Sequence, residues 1–261
     1  MDKKNFNPYP GLRPFAPEDS DLFFGREAES DEVISKLLKN RYITVLGASG
    51  IGKSSLIYGG VLSKILNLKI WDSIVWRIIS FRPGRDVFGN LADALLNEVT
   101  DSEQKKVERE SIISQLLDNP HSFSDIISKY LIRKDDNVLL VIDQFEEIFR
   151  YFSPGKSDIS HTTAVKFVDF LVNSVIKPDG NIFIIITMRS DYLGECSHYK
   201  GLTSFINNSN YLVPYIVTEN LKEVIERPVN YAGAKLIRHL SKHFLMISET
   251  ELINFLSCNT P

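Results

Sequence analysis

The stretch Gly47-Ala48-Ser49-Gly50-Ile51-Gly52-Lys53-Ser54 constrains the fold of this chain more than any other feature. It has the spacing G-x-x-x-x-G-K-[ST]. A short apolar, β-branched run, Tyr42-Ile43-Thr44-Val45-Leu46, precedes it, and a helix-forming segment, residues 53–66, follows. Glycines at these positions let the chain turn tightly and bring backbone N–H groups close to phosphate oxygens. A helix beginning at Lys53 adds the positive end of its dipole. Gly47, Ala48, Ser49, Gly50, Ile51, Gly52, Lys53, Ser54 and Ser55 are thus a candidate phosphate cradle. In such a cradle the lysine reaches the β- and γ-phosphates and Ser54 ligates Mg²⁺.

The rest of the chain repeats the strand–helix alternation. Residues 42–46, 74–81, 138–142, 182–187 and, more weakly, 211–215 read as strands. Residues 53–66, 87–98, 122–133 and 161–176 read as helices. A further helix starts near Gly25-Arg26-Glu27, with Val33, Ile34, Leu37 and Leu38 on one face. Near-continuous apolar strands alternating with helices predict an α/β fold with a parallel sheet covered on both faces. Residues 103–110 mix charges of both signs and read as a solvated helix face. Prolines 8, 10, 14 and 17 exclude a helix at the start and leave an extended arm. Its Tyr9, Leu12 and Phe15 suit an arm lying against a surface.

Composition narrows the class. At 261 residues and 43% hydrophobic content the chain is not disordered, and two cysteines cannot build a disulfide framework. A net charge of -3 gives no general pull toward nucleic acid, which is not expected as a partner. The apolar runs are too short for a bilayer, and the first residues lack a signal-peptide pattern. A cytoplasmic location without a membrane partner is the expectation.

Other residues carry candidate chemistry. Leu139-Leu140-Val141-Ile142-Asp143 delivers a carboxylate to a strand end, where it suits the Mg²⁺ of a bound nucleotide. Many ATPases place a glutamate next, but Gln144 stands there. Glu146 or Glu147 supplies the alternative carboxylate for orienting water, with Glu147 slightly favoured. Arg189, closing the fourth strand, suits a γ-phosphate contact, against pairing with Asp191 on the surface. Arg82 suits a structural role better than a phosphate contact. His239 and His243 lack the glutamate of a zincin motif, and Cys196 with His198 lacks a third partner. Trp71 and Trp76 read as packing. Lys222, Lys235, Arg238, Lys242 and His243 read as a solvated helix face.

Taken in order, several motifs resemble the novel STAND branch (nSTAND1-like) of signal-transduction NTPases. They are Asn7-Pro8-Tyr9-Pro10-Gly11-Leu12-Arg13-Pro14-Phe15, Phe23-Phe24-Gly25-Arg26-Glu27, Gly50-Ile51-Gly52-Lys53-Ser54-Ser55-Leu56, Arg82-Pro83-Gly84, Asp143-Gln144-Phe145-Glu146-Glu147 and Thr187-Met188-Arg189-Ser190-Asp191-Tyr192-Leu193. The resemblance implies a three-layer P-loop NTPase of the ASCE/STAND type, related to AAA+ ATPases, with sheet order 5-1-4-3-2 and the start of a helical lid. It implies an adenine pocket lined by Phe24, Gly25 and Arg26, Arg189 as γ-phosphate sensor, Pro214 at the passage from core to lid, and residues 221–228 as the first lid helix. The implied organisation is an arm and leading helix (1–39), an NTPase core (40–216) and an incomplete lid (217–261). Family members are ATP-dependent switches in signalling or antiviral defence that bind ATP or ADP and form homo-oligomers on ATP binding. Because the pattern stops at Pro261, the sensor and effector parts are expected from a partner protein or a missing C-terminal region. The expected function is an ATP-binding, slowly hydrolysing core. The alternative is a nucleotide-dependent assembly module without meaningful turnover.

Overall fold

A computed structural model describes residues 8–9, 11, 13–67, 75–97, 99–119, 123–130, 136–152, 158–174 and 181–233. Leu12, Trp71, Lys235, Arg238, His239, Lys242, His243 and the lid beyond residue 233 lie outside the described residues. The strands are β1 Tyr42–Gly47, β2 Trp76–Phe81, β3 Asn137–Ile142, β4 Ile182–Arg189 and β5 Asn210–Leu212. The helices are α1 Glu27–Asn40, α2 Lys53–Ser55, α3 Ser63–Asn67, α4 Val87–Leu95, α5 Ser102–Asp118, α6 Phe123–Tyr130, α7 Glu147–Phe152, α8 Asp158–Ser174, α9 Leu202–Asn208 and α10 Thr218–Tyr231. Among the described residues no helix is long and apolar enough to cross a membrane. The chain divides into two compact units. One comprises Met1–Ser35, Gly47–Leu68 and Leu212–Pro261, the other Lys36–Leu46 and Lys69–Tyr211.

The second unit carries the sheet. Its strands are parallel and run in the order β2-β3-β4-β1-β5, the expected order read from the opposite edge. β3 and β4 are apolar on both faces and almost wholly buried, as central strands of a covered parallel sheet must be. The helices cover them with aromatic side chains. Phe167 packs against Phe81, Phe88 and Phe145, and Phe123 meets Phe170 edge-on at 4.7 Å. Each buried phenylalanine is worth about 1.5–3 kcal/mol against exposure. Trp76 is buried beside Phe183, so it packs as expected. α5 is the expected solvated helix: only Ile112 and Leu116 are buried, and Arg109 reaches Asp86 and Asp93 at 2.8 and 3.0 Å.

Three local expectations change. The fifth strand ends at Leu212 and does not run to residue 215, because Pro214 has no N–H to give a ladder. Leu38 is 38% exposed, so the apolar face of α1 is Val33, Ile34 and Leu37 alone. The single helix read over residues 53–66 is α2, a π-helical turn over Leu56–Leu62, and α3.

That π turn belongs to the first unit and is closely packed. Gly59 and Gly60 sit inside it, where a Cβ would come within 2.8 Å of Phe15 Cβ and 2.9 Å of Phe23 Cε1 respectively. Phe15 and Phe23 themselves meet edge-on at 5.3 Å. The arm therefore lies on a surface, as its aromatics suggest, and the glycine pair is the surface that admits it. Tyr9 continues the contact by donating to the Ile225 carbonyl on α10 at 2.6 Å.

Candidate functional site

The second unit builds its chemistry at the C-terminal ends of three strands. The parallel register pairs Phe81 with Ile142 and Ile142 with Ile186. The next residues along each strand are Arg82, Asp143 and Thr187, so the register brings all three to one edge. Asp143 is 1% exposed. Its Oδ1 accepts from Thr187 Oγ1 at 2.7 Å, and its Oδ2 accepts from Arg82 Nε and Nη2 at 3.2 and 3.1 Å. A buried carboxylate is tolerated only with such partners.

Gln144 turns the chain out of β3. It holds φ 60, a left-handed conformation that a non-glycine residue seldom adopts, and its N–H donates to Thr187 Oγ1 at 3.0 Å. Phe145 N–H then donates to the Thr187 carbonyl at 2.9 Å. One threonine thus fixes the three residues that lead into α7. Glu146 is 5% exposed and accepts from Arg189 N–H at 3.3 Å, while half-buried Glu147 accepts from Gly84 N–H at 2.8 Å. The Arg189 side chain is ion-paired with Asp191 and lies over the Tyr192 ring at 5.7 Å. Arg150 donates to Tyr192 Oη at 3.1 Å from the same cluster. Cys196 is buried and its thiol is pushed up to about 12 by desolvation, so it stays protonated and is no nucleophile.

The first unit contains the candidate phosphate loop, which continues directly from β1. Gly50 and Gly52 hold φ 75 and φ 94, the left-handed conformations the loop needs. Lys53 Nζ donates to the carbonyls of Gly47 and Ala48 at 3.0 and 2.8 Å, which keeps the ammonium within the loop. A side chain at Gly47 would come within 2.9 Å of Ile51 Cγ2. Ser55 Oγ lies 3.5 Å from the N–H of Phe15 in the arm.

The same unit has a cavity of about 620 Å³ lined by Phe23, Phe24, Gly59, Gly60, Arg227 and Tyr231, among others. Arg227 covers the Phe24 ring at 4.2 Å. Of the three residues expected to line an adenine pocket, Phe24 is among the lining of this cavity, and Gly25 and Arg26 lie outside that lining. Gly25 has φ 78 and its carbonyl accepts from Asn220 of α10 at 3.1 Å. Arg26 is buried against Glu29 at 2.8 Å, and its Nη2 is a buried donor without a partner among the described residues.

Asp143, Glu146, Glu147 and Arg189 therefore cluster at the strand ends of one unit, and the loop residues and Phe24 lie in the other. Thr187 opens a motif in the sequence, but its bonds to Asp143 and Gln144 carry no sequence signature, since a strand threonine most often only packs. The Arg82–Asp143 pair escapes a reading of the sequence because its signal is register, which a single chain does not print.

No curated relative matches the sequence. Among solved structures, the Aeropyrum pernix ORC2 protein in its ADPNP–ADP complexes is similar at TM-score 0.58 and 14% identity, over 95% of this chain and 60% of that one. The Walker-type ATPase of Pyrococcus abyssi is similar at TM-score 0.54 and 14% identity, over 94% of this chain and 68% of that one. AMPPCP-bound DnaA from Aquifex aeolicus is similar at TM-score 0.50 and 15% identity, over 90% and 61%. This chain thus spans about three fifths of the length of the ORC2 and DnaA proteins. At such identities the likeness is one of fold, the α/β fold of P-loop ATPases. The sequence profile of one family covers residues 8–251, nearly the whole chain, and on that match this chain belongs to the Novel STAND NTPase 1 family.

Proposed function

We propose that the chain is the ATP-binding and slowly hydrolysing core of a STAND-type switch in signalling or defence. The observation that carries this reading is the phosphate loop, with left-handed glycines at 50 and 52 and the Lys53 ammonium held on two loop carbonyls. On binding, Lys53 exchanges those carbonyls for β- and γ-phosphate oxygens, a charge-assisted contact. The buried, partnerless Nη2 of Arg26 supports its segment as part of the base and ribose site, beside Phe24 and Gly25. Domain limits at 1–39, 40–216 and 217 onward, a cytoplasmic location and homo-oligomerisation on ATP binding belong to the same proposal.

The donor set suits Mg²⁺ that arrives with nucleotide. Among the described residues no group of three or more His, Cys, Asp or Glu side chains gathers as a metal site. Nucleotide-borne Mg²⁺ needs only one or two carboxylates beside phosphate oxygens and water. Asp143 would be the carboxylate of such a set and the Ser54 hydroxyl a further oxygen donor, and the ion would supply neutralisation of phosphate charge. Glu147, or alternatively Glu146, orients the attacking water. Arg189 reads the γ-phosphate by leaving Asp191.

A second reading has its own support. Gln144 takes the position next to Asp143, and both glutamates already accept backbone N–H groups. This favours a nucleotide-dependent assembly module without turnover. Steady-state phosphate release separates the two. The first reading expects release by the wild type that falls about 100-fold in Glu147→Gln or Glu146→Gln. Absence of release from the wild type, with a mass that grows on adding ATP, leaves only the second.

A further inference from the structure

Arg82 stands one residue beyond the register pair Phe81 and Ile142. Its two bonds to Asp143 Oδ2 join unequal partners: the carboxylate is 1% exposed and the arginine side chain 53%. A buried carboxylate stays ionised only where a counter-charge or hydrogen-bond donors hold it. A half-exposed guanidinium on a flexible stem returns to water at little cost.

The backbone under Arg82 is pinned. Asn90 Nδ2 donates to the carbonyls of Arg82 and Pro83 at 3.2 and 3.0 Å. Gly84 holds φ 57, and a Cβ there would meet Asn90 Nδ2 at 2.6 Å. The Gly84 N–H also holds Glu147. The loop is therefore a fixed mount on which the guanidinium is the movable part.

We propose that Arg82 is a positioning residue that holds Asp143 in place when no cation-bound nucleotide is present and yields Oδ2 when one binds. This rests on the reading of Asp143 as the carboxylate for nucleotide-borne Mg²⁺. A guanidinium and a dication at the same carboxylate oxygen repel one another, so each occupies it at the expense of the other. Arg82 thus weakens Mg²⁺-loaded nucleotide while leaving the Mg²⁺-free form unaffected. Because the Gly84 N–H and the guanidinium leave from one mount, the same loop touches both the Mg²⁺ carboxylate and the acid proposed to orient water.

The test is calorimetric titration of the full chain with ADP, once with Mg²⁺ and once with EDTA. In Arg82→Gln the gain in affinity conferred by Mg²⁺ rises about tenfold over wild type, with the EDTA affinity within about a factor of two. The unfolding midpoint of the nucleotide-free variant falls, and Mg²⁺ with ADP restores it. Arg82→Lys, which keeps the charge and loses the planar fork, lies between the two in both measurements. A Mg²⁺ gain in folded Arg82→Gln that equals or falls below the wild type overturns the proposal. Should the glutamine variant not fold, a lysine variant indistinguishable from wild type does so. Loss of ADP binding in Lys53→Ala alongside a wild type without any Mg²⁺ gain keeps the phosphate loop but removes the reading of Asp143, and this proposal with it.

Discussion

Lys53 is held by carbonyls six and five residues away in the chain, Gly47 and Ala48. Asp143 is held by Arg82 and Thr187, 61 and 44 residues away. Both regions hold a charged group in a set position, half-buried at Lys53 and buried at Asp143, and they differ in what must be correct for it to stay there. In the loop, two left-handed glycines and a nearby lysine suffice. At the strand ends, three strands must pair in the right register, since a one-residue slip turns every side chain to the other face. Loop chemistry should therefore respond to local substitutions and strand-end chemistry to anything that disturbs the sheet.

The largest effect expected from breaking this contrast is on the loop. Lys53→Ala should weaken nucleotide binding by about 100-fold, near 3 kcal/mol, with the urea midpoint unmoved. Fluorescent-nucleotide titration checks the first and denaturation the second. A large fall in stability would mean that the loop is less self-contained than its short-range bonds imply.

Thr187→Val should act in the opposite sense, chiefly on stability. It strips partners from both Asp143 Oδ1 and the Gln144 N–H, a loss of about 1–3 kcal/mol. Thr44 gives the control. Its hydroxyl is buried on β1 without a hydrogen-bond partner among the described residues, so Thr44→Val should be neutral or stabilising by about 1 kcal/mol in the same urea experiment. Equal effects at the two threonines would show that burial, and not the Asp143 network, sets the loss.

Gly60→Ala sharpens the contrast from the loop side. The added Cβ would come within 2.9 Å of Phe23 and crowd Ser30, so overpacking of about 1–2 kcal/mol is expected. Hydrogen exchange should locate the change in the arm and the π turn.

The smallest effect is electrostatic. The Arg13 guanidinium, hydrogen-bonded at 2.9 Å, holds the Asp19 carboxyl below the ordinary carboxylate range, assisted by the Ala16 N–H. A carboxyl depressed in the folded state stabilises above its unfolded pKa of about 4, and that stability is lost as pH falls through the folded value. Asp19→Asn should remove this acid-limb dependence at a cost below about 1 kcal/mol, since the partner arginine is exposed. Melting curves of both proteins between neutral and acid pH would show it. A variant with an undiminished acid limb would put the titrating group elsewhere.

Particular residues show why some features were legible in the sequence and others were not. The left-handed loop conformation is legible because glycines at fixed spacing are the residues that adopt it, as at Gly50 and Gly52. Asp143 is a legible candidate because its apolar run ends in a carboxylate in a chain that also has the G-x-x-x-x-G-K-[ST] spacing; alone, a strand-end Asp reads equally as a helix cap. The end of β5 is not set by apolar character, which extends past the last ladder bond at Leu212 toward Pro214. The π turn was hidden because Gly59 and Gly60 look like a weak spot in a helix until Phe15 and Phe23 are seen to occupy the space. The left-handed φ at Gln144 left no trace, because glutamine is not a residue chosen for that conformation.

The sequence by itself determined the alternation of strand and helix, the glycine-rich turn with its lysine after the first strand, and the carboxylates at the end of the third. Those depend on spacing and on side-chain chemistry, which a chain carries in one dimension. Only the tertiary structure decided which partners those carboxylates take: Arg82 and Thr187 for Asp143, Gly84 for Glu147, and the Arg189 N–H for Glu146. Such pairings follow from sheet register and from burial, through which a charge is retained only where distant residues supply its bonds.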